Sequence, residues 1–157
     1  MKRSVQGFTL IELIVVITIL GILAAIALPK FAALQADARL AKMNGALGSV
    51  KGAAAMAHGL LLARGYGASY TGTPAGANAI VVEGTTVTFA NGYPAATVIA
   101  ALAGIASPDY TVPAATATTQ DIQADGNHTT CNFVYTEAAA NNQPTYTTTG
   151  LTLANCS

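Results

Sequence analysis

Tryptophan is absent, histidine occurs only as His58 and His128, and charged side chains make up just 9% of the 157 residues. With a formal net charge of zero and so few charges, no basic surface is on offer to nucleic acid, and no such partner is expected. Neither histidine stands at a recognisable spacing from a serine or cysteine nucleophile, and no glycine-rich phosphate loop occurs. No enzymatic activity and no cofactor are therefore expected. Two cysteines, Cys131 and Cys156, lie near the C-terminus. Without further metal-ligand spacing they read better as a disulfide than as a zinc site, which calls for an oxidising compartment. Asp121, Asp125 and Asn127 do not fit a calcium-binding EF-hand loop and read as a solvated polar loop. Asn127-His-Thr129 and Asn155-Cys-Ser157 match the glycosylation triplet, a pattern that arises often by chance.

Apolar residues, in contrast, make up 52% of the chain. All seven basic residues precede residue 65, whereas six of the seven acids follow residue 36. The exception is Glu12, inside the run Phe8–Leu28. As a helix these residues would rise roughly 31 Å, about one hydrocarbon core. Lys2 and Arg3 precede the run, so that flank is expected to stay cytoplasmic and the C-terminal bulk to face outward. A secretory signal peptide fits poorly. The apolar run is too long, it ends without an A-x-A-like site, and an acid sits near its start. A plain anchor fits length and orientation but leaves Glu12 unexplained, since a carboxylate at membrane depth costs a few kcal/mol.

The stretch "GFTLIELIVVITILGILAAIALP", after the basic leader "MKRSVQ", resembles the type III signal of type IV prepilins. The resemblance implies cleavage between Gly7 and Phe8 by a membrane-embedded prepilin peptidase, N-methylation of Phe8, and a mature chain whose fifth residue is Glu12. It divides the chain into a cleaved leader (1–7), a membrane-spanning and later filament-core helix (8–29), and an outward-facing globular domain (30–157). Cleavage leaves a free α-amine on Phe8, protonated near neutral pH. In the family the carboxylate's partner is the amine of a neighbouring subunit, so Glu12 becomes a docking group in a homopolymeric helical filament. The implied location is the inner membrane for the precursor, then a surface pilus built by separate assembly machinery, with a host or surface receptor as a further partner.

Pro29 lacks an amide hydrogen and is expected to bend or interrupt the helix, in a stretch already weakened by Gly21. Resembling pilins lose helical structure between these landmarks inside filaments. Beyond it Leu40, Met43, Leu47, Val50, Ala54, Ala57 and Leu61 recur at steps of three and four, a narrow apolar stripe. Ala41, Gly45, Gly48, Gly52, Ala55 and Gly59 form a second face. The leucine stripe is expected to pack on the sheet and the glycine face on neighbouring subunits, the reverse assignment being the alternative. His58, at the stripe's edge, reads as a partly buried, hydrogen-bonded side chain.

After "RGYG" (64–67) the composition shifts to threonine, glycine and alanine, and 66–79 reads as a loop. Residues 79–94 predict two short β runs around Gly84, with Asn91-Gly92 as a hairpin turn. Residues 95–107 predict a short helix ending at Pro108. Residues 130–138 and 144–153 predict strands joined by "AANNQ". The expectation is an α+β pilin fold, in which the amphipathic half of a long N-terminal helix packs on a small antiparallel sheet. "PKFAALQADAR", "NGYPAA" and the cysteine-bounded C-terminal segment most resemble the mannose-sensitive haemagglutinin branch of type IVa pilins. In type IV pilins a C-terminal disulfide borders a surface loop that often governs adhesion. A pseudopilin of a type II secretion system shares the same N-terminus. The cysteine pair favours the pilin, since pseudopilins of the major class resemble it without the disulfide and carry a calcium-stabilised loop.

Overall fold

The computed structural model describes residues 8–157. The chain forms two compact units that meet between Gln35 and Ala36. One 54-residue helix, α1 (Leu10–Ala63), supplies the first unit and continues into the second.

In the first unit the large apolar side chains of α1 are exposed around the whole circumference, from Leu10 and Ile11 to Phe31 and Leu34. A helix apolar on every side is stable only in lipid or among other helices. Its hydroxyl at Thr18 is satisfied internally, donating to the Val15 carbonyl at 2.8 Å. The expected interruption is not present in the single chain, where α1 runs unbroken through Gly21 and Pro29. The physical reason is local. Proline removes one ladder hydrogen bond, and the bonds of the surrounding turns suffice to carry the helix past it.

In the second unit α1 buries Ala36, Met43, Ala46, Val50, Ala53, Ala54, Ala57 and Leu61, with Leu40 and Leu47 packed against them. The apolar stripe therefore faces the core. Gly45, Gly48, Gly52 and Gly59 are exposed, and a Cβ added at any of them would meet nothing within 4 Å. The helix ends at Gly65 (φ 81°), where Gly65 N–H donates to Leu62 O and Tyr66 N–H to Leu61 O. That pair of bonds is the Schellman stop, which favours glycine for its left-handed conformation.

Two hairpins follow. Strands β1 (Val81–Val82) and β2 (Thr85–Thr86) flank Glu83-Gly84, and β3 (Phe89–Ala90) and β4 (Tyr93–Pro94) flank Asn91-Gly92. All four turn residues have positive φ, the signature of type I′ turns, whose twist matches that of the strands. Helix α2 (Ala96–Leu102) starts where the Glu137 carboxylate accepts the Ala96 N–H at 2.6 Å. A three-stranded antiparallel sheet then runs in the order β5 (Thr119–Gln123), β6 (Asn132–Thr136), β7 (Thr145–Thr147).

The α+β architecture is as expected, but the strands form three small sheets rather than one: β1 to β4 are two residues each, and beyond its own hairpin β3 makes only the isolated bridge Phe89–Gly72. The strand predicted over 144–153 stops at Thr147. Thr152 instead caps the one-turn helix α3 (Leu153–Cys156), its hydroxyl accepting the Asn155 N–H at 3.2 Å. The core gathers Met43, Val50 and Leu61 of α1 with Val87, Phe89, Ile99, Ile122, Phe133 and Tyr135. Cys131 and Cys156, both fully buried, form a disulfide with Cα atoms 4.8 Å apart, fastening α3 to the start of β6.

Candidate assembly helix and its carboxylate

Thr9 precedes the first residue of α1, and Glu12 follows three positions later. The Thr9 N–H and hydroxyl donate to Glu12 Oε2 at 2.9 and 2.7 Å, while Thr9 Oγ1 accepts the Glu12 N–H at 3.3 Å. This is a capping box, in which threonine and glutamate each satisfy backbone donors that the first helical turn leaves orphaned. The signature T-x-x-E stands in the sequence at Thr9–Glu12, where the acid in an apolar run draws notice away from Thr9. Both hydrogen bonds go to one carboxylate oxygen, so the carboxylate is held in a defined rotamer.

Around it, Phe8, Ile11, Val15 and Val16 line a shallow apolar concavity on the same helix face. Phe8 is 91% exposed. Gly7 and the six residues before it, the expected leader, lie outside the described residues. Gly21 and Pro29 occupy unbroken helix, and Cys131 and Cys156 are bonded to each other, as set out above.

Several polar side chains elsewhere are engaged in holding the fold. Asp121 takes Asn132 Nδ2 on Oδ1 at 2.7 Å and Gln123 Nε2 on Oδ2 at 2.6 Å. Asp125 Oδ1 accepts the N–H groups of Asn127 and His128, each at 2.9 Å, and the His128 ring at 2.7 Å. Its Oδ2 faces Arg39 Nε at 3.5 Å, and Arg39 Nη1 donates to the Cys156 carbonyl at 3.0 Å. Arg39 thus links α1 to the disulfide-bonded tail, a role its position in the sequence does not disclose. Burial pushes the Asp125 carboxyl up, but the bonds from the His128 ring and the two N–H groups outweigh it and hold the pKa below the ordinary 3.8. Among the described residues no three His, Cys, Asp or Glu side chains converge as metal ligands would. His58 is partly buried and bonded to the Gly92 carbonyl at 2.7 Å, as its place at the stripe's edge suggested.

Residues 2–28 match the family model of the prokaryotic N-terminal methylation motif. Fimbrial protein EcpB of Eikenella corrodens is 52% identical over 56 residues, 34% of this chain and 35% of that protein. The type IV narrow pilus major component PilA5 of Thermus thermophilus is 48% identical over 52 residues, 33% of this chain and 45% of that one. The chain thus spans about a third of EcpB (35%) and under half of PilA5 (45%). No solved structure matches. The chain is thus similar, over its methylation motif and about a third of its length, to a fimbrial protein and a type IV pilus component.

Proposed function

We propose that this protein is a structural subunit of a type IV pilus, cut by a prepilin peptidase between Gly7 and Phe8 and N-methylated on Phe8. Helix residues 8–29 hold the precursor in the inner membrane and then pass into the filament core, leaving residues 30–157 on the filament's outside. The observation that carries this reading is the single carboxylate, pre-positioned by Thr9, on a helix otherwise apolar on all sides.

Left unpaired in lipid, Glu12 would cost about 3 kcal/mol at the bilayer centre and less near its face. Its own helix start is one turn away, roughly 6 Å of rise. The ammonium that cleavage creates on a neighbouring subunit's Phe8 can approach Oε1 without displacing the capping box. The pair then fixes the stagger between adjacent helices, and neither member is left buried alone. Loss of helix between Gly21 and Pro29 belongs to the packed filament in this reading, where neighbouring helices take over the contacts.

A pilus is favoured over a secretion pseudopilus by the Cys131–Cys156 bond and by the carboxylates of Asp121, in β5 rather than in a loop, and Asp125, both committed to the fold. The test is electron microscopy of surface fibres from the producing cells, with mass spectrometry of their main band. Fibres composed chiefly of this chain, beginning at N-methylated Phe8, are expected. A chain retaining residues 1–7 in the membrane, with no fibres, would overturn the proposal.

A further inference from the structure

Two adjoining concavities of about 390 and 410 Å³ open on the second unit and share His58, Tyr93 and Gln143 as a common wall. Each is within the range of roughly 300–1,000 Å³ typical of small-molecule sites. The His58 and Tyr93 rings stack in parallel, 4.3 Å between centroids and 4° between planes. His58 Nδ1 must carry the proton it donates to the Gly92 carbonyl, so in the neutral ring Nε2 is left as an acceptor. Tyr146 closes one side, with Lys51 Nζ 5.3 Å from its ring centroid. On the other side stand the amides of Asn91, Asn141 and Asn142, with Ser69 Oγ donating to Asn141 Oδ1 at 3.1 Å.

This combination selects a chemistry. Flat aromatic surfaces match the C–H face of a pyranose, and planar amides and phenols match its hydroxyls in both donor and acceptor senses. Lys51 is the one fixed charge lining either concavity, and no Asp or Glu lines them. A single ammonium suits a carboxylate better than a phosphate dianion, and the absence of lining carboxylates disfavours an amino sugar. We propose that the double concavity binds an acidic pyranose, a uronic or sialic acid residue of a glycan. The ring lies against the tyrosine and histidine surfaces, the carboxylate is on Lys51, and the hydroxyls meet Gln143 and the asparagines.

A monomer is sufficient for this binding, so the test does not depend on filament assembly. The full-length chain in a sugar-free micelle is titrated with the methyl glycosides of N-acetylneuraminic acid, galacturonic acid and galactose. Binding is followed by saturation-transfer NMR. Either acid is expected to bind about fivefold to tenfold more tightly than galactose, and the acid that binds identifies the glycan source. Lys51→Gln should abolish that preference while leaving galactose unchanged. Gln143→Ala, an exposed loop change with little risk to folding, should weaken all ligands that bind. Equal binding of acid and neutral sugars, a preference that survives Lys51→Gln, or no transfer from any of the three would overturn the proposal.

Discussion

Removing the disulfide tests how the C-terminal tail is integrated with the second unit. Cys131 and Cys156 are 25 positions apart, and for a loop of that length the chain-entropy model gives roughly 3.5 kcal/mol. The tail has few other anchors. Thr130 Oγ1 donates to the Asn155 carbonyl at 3.2 Å, and Arg39 donates to Cys156 O. Gly150 lies so close to β6 that a Cβ there would stand 2.6 Å from Asn132 O. For a unit of this size 1 kcal/mol moves Tm by about 3–5 °C, so Cys131→Ser/Cys156→Ser should lower Tm by about 10–18 °C. Tyrosine fluorescence is the suitable probe, because the chain has no tryptophan and Tyr135 is buried in the core. Wild type unfolded in reductant keeps the buried sulfurs, so its smaller loss isolates the cross-link from the packing change. A Tm drop under about 3 °C would refute the reasoning, because it would mean that α3 peels away without the rest of the unit.

Gly92 has φ 87°, and a Cβ there would overlap the Ala68 carbonyl oxygen, whereas Gly84, at φ 82°, has open space around it. Gly84→Ala should therefore cost about 1 kcal/mol and Gly92→Ala at least about 3 kcal/mol in chemical denaturation; equal losses would contradict the close approach. Because the folded pKa of Asp125 is depressed, its contribution to stability is fully present above the unfolded value and lost as pH falls through the lower folded one. Asp125→Asn should accordingly flatten the acid limb of a Tm–pH profile below about pH 4, and an unchanged limb would exclude this carboxylate. Gly7→Asp should block leader removal, so that N-terminal sequencing of membrane protein starts at Met1; N-methylated Phe8 in the variant would contradict the cleavage assignment.

Much of the second unit is legible locally. Asn91-Gly92 between β-rich runs reads directly as an I′ hairpin, whereas Gly84 marks only a break between β runs and nothing in the sequence announces the left-handed Glu83. The stripe from Met43 to Leu61 reads as a core face because its period is that of a helix. Strand β5 escapes this reading because one of its two buried positions holds Gln120, whose amide donates to Pro113 O and Asp121 O. The last helical turn escapes it too. "TGLTLANC" alternates like a strand, yet the Thr152 cap and the disulfide wind it into α3. The tie from Arg39 to Cys156 spans 117 positions, beyond any local pattern. At the start of α1 the Thr9–Glu12 box is a four-residue motif that the sequence does display, overshadowed by the unusual acid itself.

The central claim, that Glu12 is a docking group between subunits, is tested most directly by competition within one cell. Wild-type and Glu12→Ala subunits are co-expressed, and their ratio is measured by mass spectrometry in the membrane pool and in sheared fibres. Membrane insertion and cleavage should be unimpaired in the variant, since removing the charge only eases insertion. Each variant subunit that enters a fibre leaves a neighbour's ammonium buried without a partner, a loss of about 3–5 kcal/mol. The account predicts variant subunits depleted at least about tenfold in fibres relative to the membrane pool. Equal ratios in the two fractions, at normal fibre yield, would contradict it.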